Sequence, residues 1–105
     1  MTEAINIQEI KDRIQRFLPA LFRWLPAEAD RKVGGFTFRR ASYDNNMYVF
    51  TADGRLMLCV YVLLDLNEHA PVCSIERLTQ NWSCLSRLAQ VLQQMFVLDE
   101  LAGIQ

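Results

Sequence analysis

His69 is the only histidine in the chain, and it stands near Asp65, Glu68 and Cys73, with Cys84 further on. These residue types bind metal ions or build thiol–imidazole nucleophiles. A zinc site expects close-spaced ligands, such as a Cys-x-x-Cys pair or two histidines one helical turn apart, and the chain has neither. A nucleophilic cysteine expects a base that a further group orients; no such group accompanies His69 and Cys73. His69 is therefore read as a loop residue before Pro71. Cys59 and Cys84 fall among apolar neighbours and read as small hydrophobes. Gly34-Gly35 lacks the lysine and the following Ser or Thr of a phosphate-binding loop. Asp99-Glu100 sits at a helix end, where the pair reads as solvated. The expectation is no catalytic residue, no cofactor and no metal.

One basic stretch remains. Arg31, Lys32, Arg39, Arg40 and Arg55 lie within residues 31–55, opposed there by Asp44 and Asp53. Beside Tyr48, Phe50 and Tyr61 they suggest a stacking platform for single-stranded nucleic acid. The formal net charge is −1, whereas phosphate neutralisation asks for a basic excess. The same mixture of aromatic and arginine side chains also serves protein partners.

The elements that must position these residues follow from periodicity. Ile7, Ile10, Ile14, Phe17, Leu21 and Trp24 recur at three- and four-residue steps, which predicts an amphipathic helix. Pro19 predicts a kink or restart within it, and Pro26 ends it. Residues 27–33 read as a charged loop closed by Gly34-Gly35. Phe36 to Ala41 alternates with period two, as a half-buried strand does. Tyr43-Asp44-Asn45-Asn46 carries turn chemistry. A second strand spans Met47 to Thr51 and a third Leu56 to Leu66, joined by Asp53-Gly54 as a two-residue hairpin turn. Ser74 is the expected N-cap of a second helix, on which Ile75, Leu78, Trp82, Leu85, Ala89, Leu92 and Phe96 share one stripe. A break near Asn81 fits the poor helix formers Thr79, Asn81 and Ser83.

The expected fold is one α+β domain over residues 1–105: a two-layer sandwich, helix–three antiparallel strands–helix (α-β-β-β-α), with both helices on one sheet face. That order resembles the topology of double-stranded RNA-binding domains, which place a lysine cluster at the start of the second helix. Here that position reads Ser74-Ile75-Glu76-Arg77. Small bacterial secretion chaperones are similar in combining a leading helix, an antiparallel sheet and a dimerising helix, but they have further strands and a further helix. Both are resemblances of fold, and neither carries a functional residue across.

A two-residue turn at Asp53-Gly54 pairs Ala52 with Arg55, Phe50 with Met57 and Tyr48 with Cys59. Because side chains alternate across a strand, the faces separate. Met47, Val49, Thr51, Leu56, Leu58, Val60, Val62 and Leu64 share an aliphatic face, to which a tight turn at Asp44-Asn45 adds Phe36 and Phe38. Tyr48, Phe50, Arg55, Met57, Cys59, Tyr61 and Leu63 share the other, joined by Thr37 and Arg39 through the same turn, and its composition matches a protein interface. The third strand outruns its partner from Val62 onward, leaving an edge able to template another chain.

The expected function is thus a non-catalytic, intracellular protein-interaction module of adaptor, chaperone-like or inhibitor type, self-associating as a homodimer through its outer sheet face. Arg39, Tyr48, Phe50, Arg55, Met57 and Tyr61 are its contact residues. The alternative is a nucleic-acid-binding module using Arg39, Arg40, Arg55 and the sheet aromatics. Three cysteines without close spacing and the polar start Thr2-Glu3-Ala4 point to the cytoplasm. No membrane partner and no small-molecule ligand are expected.

Overall fold

The computed structural model describes residues 6–41, 46–64 and 71–102, with side chains to residue 97. The elements are α1 (Ile7–Trp24), β1 (Arg31–Val33), β2 (Phe36–Arg40), β3 (Met47–Thr51), β4 (Leu56–Leu63), β5 (Val72–Leu78) and α2 (Trp82–Ala102). The strands form one antiparallel meander in the order β1-β2-β3-β4-β5. The α+β class holds. The three-stranded layout does not, because the sheet has five strands.

Both additional strands come from segments whose pattern imitates something else. Arg31–Val33 is polar and short, yet it pairs with β2 across Gly34-Gly35, Val33 lying opposite Phe36. Both glycines have positive φ, 62° and 84°, the geometry of a type I′ hairpin turn. A glycine is required at position 34 for a second reason: a Cβ there would lie 2.7 Å from Val91 Cγ2 of α2. At the other edge, Val72–Leu78 is a strand where a helix was expected. A bulge opposite Cys59/Val60 makes Val60 pair with Ile75 and Cys59 with Arg77. Cys73, Ile75 and Leu78 therefore meet the core at steps of two and then three. The second step is what resembles helical spacing.

Helix α2 starts eight residues later than Ser74, at the break that Thr79 and Asn81 signalled. Asn81 caps it: its Oδ1 accepts from the Cys84 amide at 3.2 Å, and its carbonyl accepts from Leu85 N. Asn6 does the same for α1, accepting from Glu9 N at 3.1 Å. Helix α1 runs unbroken through Pro19, so the expected restart is absent.

The β3–β4 connection corrects the two-residue turn. Thr51, not Ala52, pairs with Arg55, its amide donating to Arg55 O at 2.8 Å, and Gly54 N donates to Thr51 O. The loop is three residues, with Gly54 at φ 90°. This shifts the register by one, so Phe50 lies opposite Leu56; a bulge then restores Val49↔Leu58 and Tyr48↔Cys59. Met57 is the extra residue. It turns inward and is 3 % exposed, while Leu56 turns outward.

Inward side chains of β2 to β5 (Phe36, Phe38, Met47, Val49, Leu58, Val60, Val62, Cys73) join α1 and α2 in one buried cluster. Trp24 ties three elements together, packing edge-on against Phe38 of β2 and Phe96 of α2, with Arg31 of β1 over its ring at 4.7 Å. The edge strand β5 is anchored to α1 by Gln15, whose Nε2 donates to Cys73 O at 2.7 Å. No described helix is long and apolar enough to cross a membrane.

Candidate interaction surface on the outer sheet face

Strand pairing places Arg39, Tyr48, Cys59 and Arg77 in one row running from β2 to β5. The adjacent row is Thr37, Phe50 and Leu56. Tyr61 lies opposite Ser74, and Leu63 opposite Val72. This face holds most of the large apolar side chains that the described structure leaves in solvent. Leu56 is 40 %, Tyr61 43 %, Leu63 51 % and Val72 44 % exposed; Leu64, just past the strand end, is 51 % exposed. Beyond Val60, β4 pairs with β5 alone among the described residues, so the overhang starts at Tyr61. Its expected continuation beyond residue 64 lies outside the described residues.

The other half of the face is polar and organised. Tyr48 and Phe50 stack with centroids 6.3 Å apart and planes at 24°. The Arg39 guanidinium lies 5.0 Å from the Phe50 centroid and makes a two-pronged bond to Asp30, Nε to Oδ1 at 2.8 Å and Nη2 to Oδ2 at 2.9 Å. The hydrogen bond from Arg39 holds the Asp30 carboxyl below the usual carboxylate range; burial opposes it, and the charges of Arg39 and Lys32 add to it. Together Glu28, Asp30, Arg39, Tyr48 and Phe50 line an open hollow of about 420 Å³. Glu28, at its rim, is the one non-glycine residue with positive φ (66°) among the described residues.

Of the expected contact residues, the structure brings Arg39, Tyr48 and Phe50 into direct contact and keeps Tyr61 exposed on the same face. Two others do not join them. Met57 is in the core because of the bulge. Arg55 sits at the hairpin tip, its Nε 3.4 Å from Asp53, and lines a separate hollow with Asn81 and Arg87. The three arginines of the nucleic-acid alternative are equally dispersed. Arg39 is paired with Asp30, Arg55 is at the tip, and Arg40 is turned under the sheet, 4.0 Å over the Phe22 ring, with Nη1 donating to Leu25 O.

The sequence pattern puts Asp30 and Glu28 in a charged loop and Arg77 in a helix; the structure puts Arg77 on β5. A signal for Asp30 existed: reading Gly34-Gly35 as a two-residue turn pairs residue 33 with 36 and, continuing outward, sets residue 30 opposite 39. Nothing comparable marks Glu28.

Among the described residues no group of His, Cys, Asp and Glu side chains is placed to hold a metal ion. Asp65, Glu68 and His69 lie outside the described residues. Cys73 is poised against nucleophilic chemistry, because burial pushes its thiol up to about 11, with Arg23 pulling weakly the other way. No family model matches the chain, and no curated protein or solved structure matches it either.

Proposed function

We propose that this protein is a non-catalytic protein-binding module that self-associates through the outer face of its sheet. The observation that carries the reading is the placement of Leu56, Tyr61, Leu63 and Val72. These exposed apolar side chains share one face instead of being scattered, and contiguous apolar patches of that kind mark contact surfaces. In this reading the molecule is a two-layer sandwich with both helices on the inner face. The doubly apolar strand β4 then has one side closed by its own chain and the other left for a partner. Aromatic and arginine residues supply the anchors such surfaces favour.

The test is a mass measurement in solution across a concentration series, on the wild type and on Leu56→Asp and Tyr61→Asp. Both positions are exposed, so the charges are tolerated by the fold. Association that is lost in the variants with unchanged melting supports the reading; a wild type that stays monomeric at high concentration removes it.

A further inference from the structure

We propose that Gln15 is a guard on the free edge of the sheet. By bonding the Cys73 carbonyl it keeps residues 72–75 of β5 from pairing with the same stretch of a second copy. The outer face plays no part in this contact, so the proposal goes beyond the reading above.

The sheet has two edges, β1 and β5. An edge strand offers unpaired amides and carbonyls to another chain, and short length, charge or a bulge blunts it. Strand β1 has three residues, and Arg31 and Lys32 are two of them. Strand β5 has seven. Its second half is blunted by a bulge: Ile75 pairs with Val60 and Arg77 with Cys59, which leaves Glu76 as the extra residue. The first half, Val72-Cys73-Ser74-Ile75, carries neither a charge nor a bulge.

The register shows which backbone groups of that half point off the sheet. Thr79 N donates to Met57 O at 2.8 Å, so position 57 of β4 bonds toward β5. Bonded and unbonded pairs alternate along an antiparallel ladder, and the extra residue lies on β5, so the count along β4 is unbroken. Cys59, Tyr61 and Leu63 bond β5, while Val60 and Val62 do not. Their partners Ile75 and Cys73 therefore turn their amides and carbonyls to the open side. There Gln15 of α1 donates from Nε2 to Cys73 O at 2.7 Å. A helix side chain thus stands where an amide of a sixth strand would bond.

The bond it prevents has a specific geometry. A two-fold axis perpendicular to the sheet at Ser74 sets Ser74 opposite itself and Cys73 opposite Ile75 of the other copy. Each of the two Cys73–Ile75 pairs exchanges two backbone bonds. Side chains match as well: Cys73 and Ile75 both turn to the core side, and the small, exposed Ser74 meets its own copy on the other. Gln15 occupies the acceptor that the Ile75 amide needs, so in each pair one bond is blocked. Pairing with the guard in place only trades one bond for another, with no net gain. Gln15 is itself exposed on α1, which leaves this bond as its main contact.

The test replaces the guard by side chains of similar length with and without a donor, in the full chain carrying Leu56→Asp. That background removes association through the outer face, so a failure here leaves the reading of the face untouched. Gln15→Met lacks a donor and is expected to associate about tenfold or more tightly than its parent in sedimentation equilibrium, because one guard per copy is lost. Gln15→Lys keeps a donor and is expected to stay with the parent. Hydrogen exchange locates the contact: the Ile75 amide becomes protected in Gln15→Met as concentration rises. Adding Ser74→Lys to Gln15→Met sets two like charges directly opposite and is expected to return the chain to monomer. Thermal melts check that each variant keeps its fold. Gln15→Met no more associated than its parent overturns the proposal, and so does association that leaves the Ile75 amide unprotected.

Discussion

The two faces of the sheet are built from nearly the same stock of apolar residues, yet one is closed and the other is not. On the inner face Phe38, Met47, Val49, Leu58 and Val60 are fully buried; on the outer face Leu56, Tyr61, Leu63 and Val72 stand in solvent. Hydrophobicity alone does not decide which face is core. The inner face is aliphatic with buried phenylalanines and packs in one cluster with the apolar residues of α1 and α2. The outer face alternates aromatics with arginine and carboxylate, groups that retain value in water and at a wet boundary. A sheet of this kind folds by its inner face, and under the proposed function its outer face is the one left for a partner.

The largest effect that would break the comparison is a truncation series. Phe38→Ala leaves a cavity among Trp24 and the helices and is expected to cost about 3–5 kcal/mol. Tyr61→Ala is expected to cost no more than about 1 kcal/mol in the monomer, because little packed area is lost. Denaturant melts at a concentration below dimerisation check this. Equal costs would mean that the outer face is also covered.

Glycine substitution sharpens the comparison at the turns. Gly34→Ala meets both a left-handed backbone and the 2.7 Å approach of Val91, whereas Gly54 has positive φ and open space. The strain alone is worth about 1–2 kcal/mol, so Gly54→Ala is expected to fall there and Gly34→Ala clearly above it. Adding Val91→Ala relieves only the clash. The double variant is therefore expected to return toward the cost of the strain plus that of the lost valine methyls. No coupling between 34 and 91 would dissociate the β1–β2 hairpin from α2.

Much of this architecture is legible in the residues, and most of the failures share one physical cause. Helix α1, strands β2 and β3, and the burial of Phe36 and Phe38 follow from plain periodicity. Strand β1 is too short and polar to show a period, and Pro19 does not break α1; the other errors lie where the chain departs from its period. A bulge at Met57 moved that residue to the core and Leu56 to the surface. A bulge opposite Cys59/Val60 gave β5 a helical-looking step. A three-residue turn stood in for the two-residue one that Asp53-Gly54 advertises. Bulges have no composition of their own, so they are invisible until a strand's partner is known. The site was legible to the same extent: Arg39, Tyr48, Phe50 and Tyr61 sit on regular strand, while Asp30 and Glu28 reach them only through tertiary pairing.

Capping gives a smaller and more local effect. Asn81→Ala removes the acceptor for Cys84 N and is expected to cost about 1 kcal/mol, with Asn81→Asp close to neutral. A null result would mean that α2 is held by packing alone. It would also mean that Asn81 does not decide where β5 ends and α2 begins.

The thiol on the inner face gives a pH signature. Cys73 titrates near 11 in the folded chain, against 9.0 for an unburied thiol. Between those values the unfolded state releases a proton that the folded state keeps. Stability from this group is therefore complete below about pH 9 and declines as pH rises toward 11. Cys73→Ala is expected to flatten that decline, and alkylation of Cys73 is expected to be slow at pH 8. Fast alkylation there would place the β5 edge in solvent and undo the distinction between the faces at that strand.

The smallest expected effect tests the outer face on its own terms. Asp30 and Arg39 make a well-aligned two-pronged pair, but their side chains are 37 % and 51 % exposed. Screening by water and salt leaves such a pair about 0.2–1 kcal/mol, so Asp30→Asn is expected to change the monomer's melting only slightly and less still in high salt. A monomer destabilised well beyond about 1 kcal/mol, independent of salt, would place this pair in a shielded environment. The polar end of the outer face would then belong to the folded core, and only the apolar end at Tyr61, Leu63 and Val72 would be left for a partner.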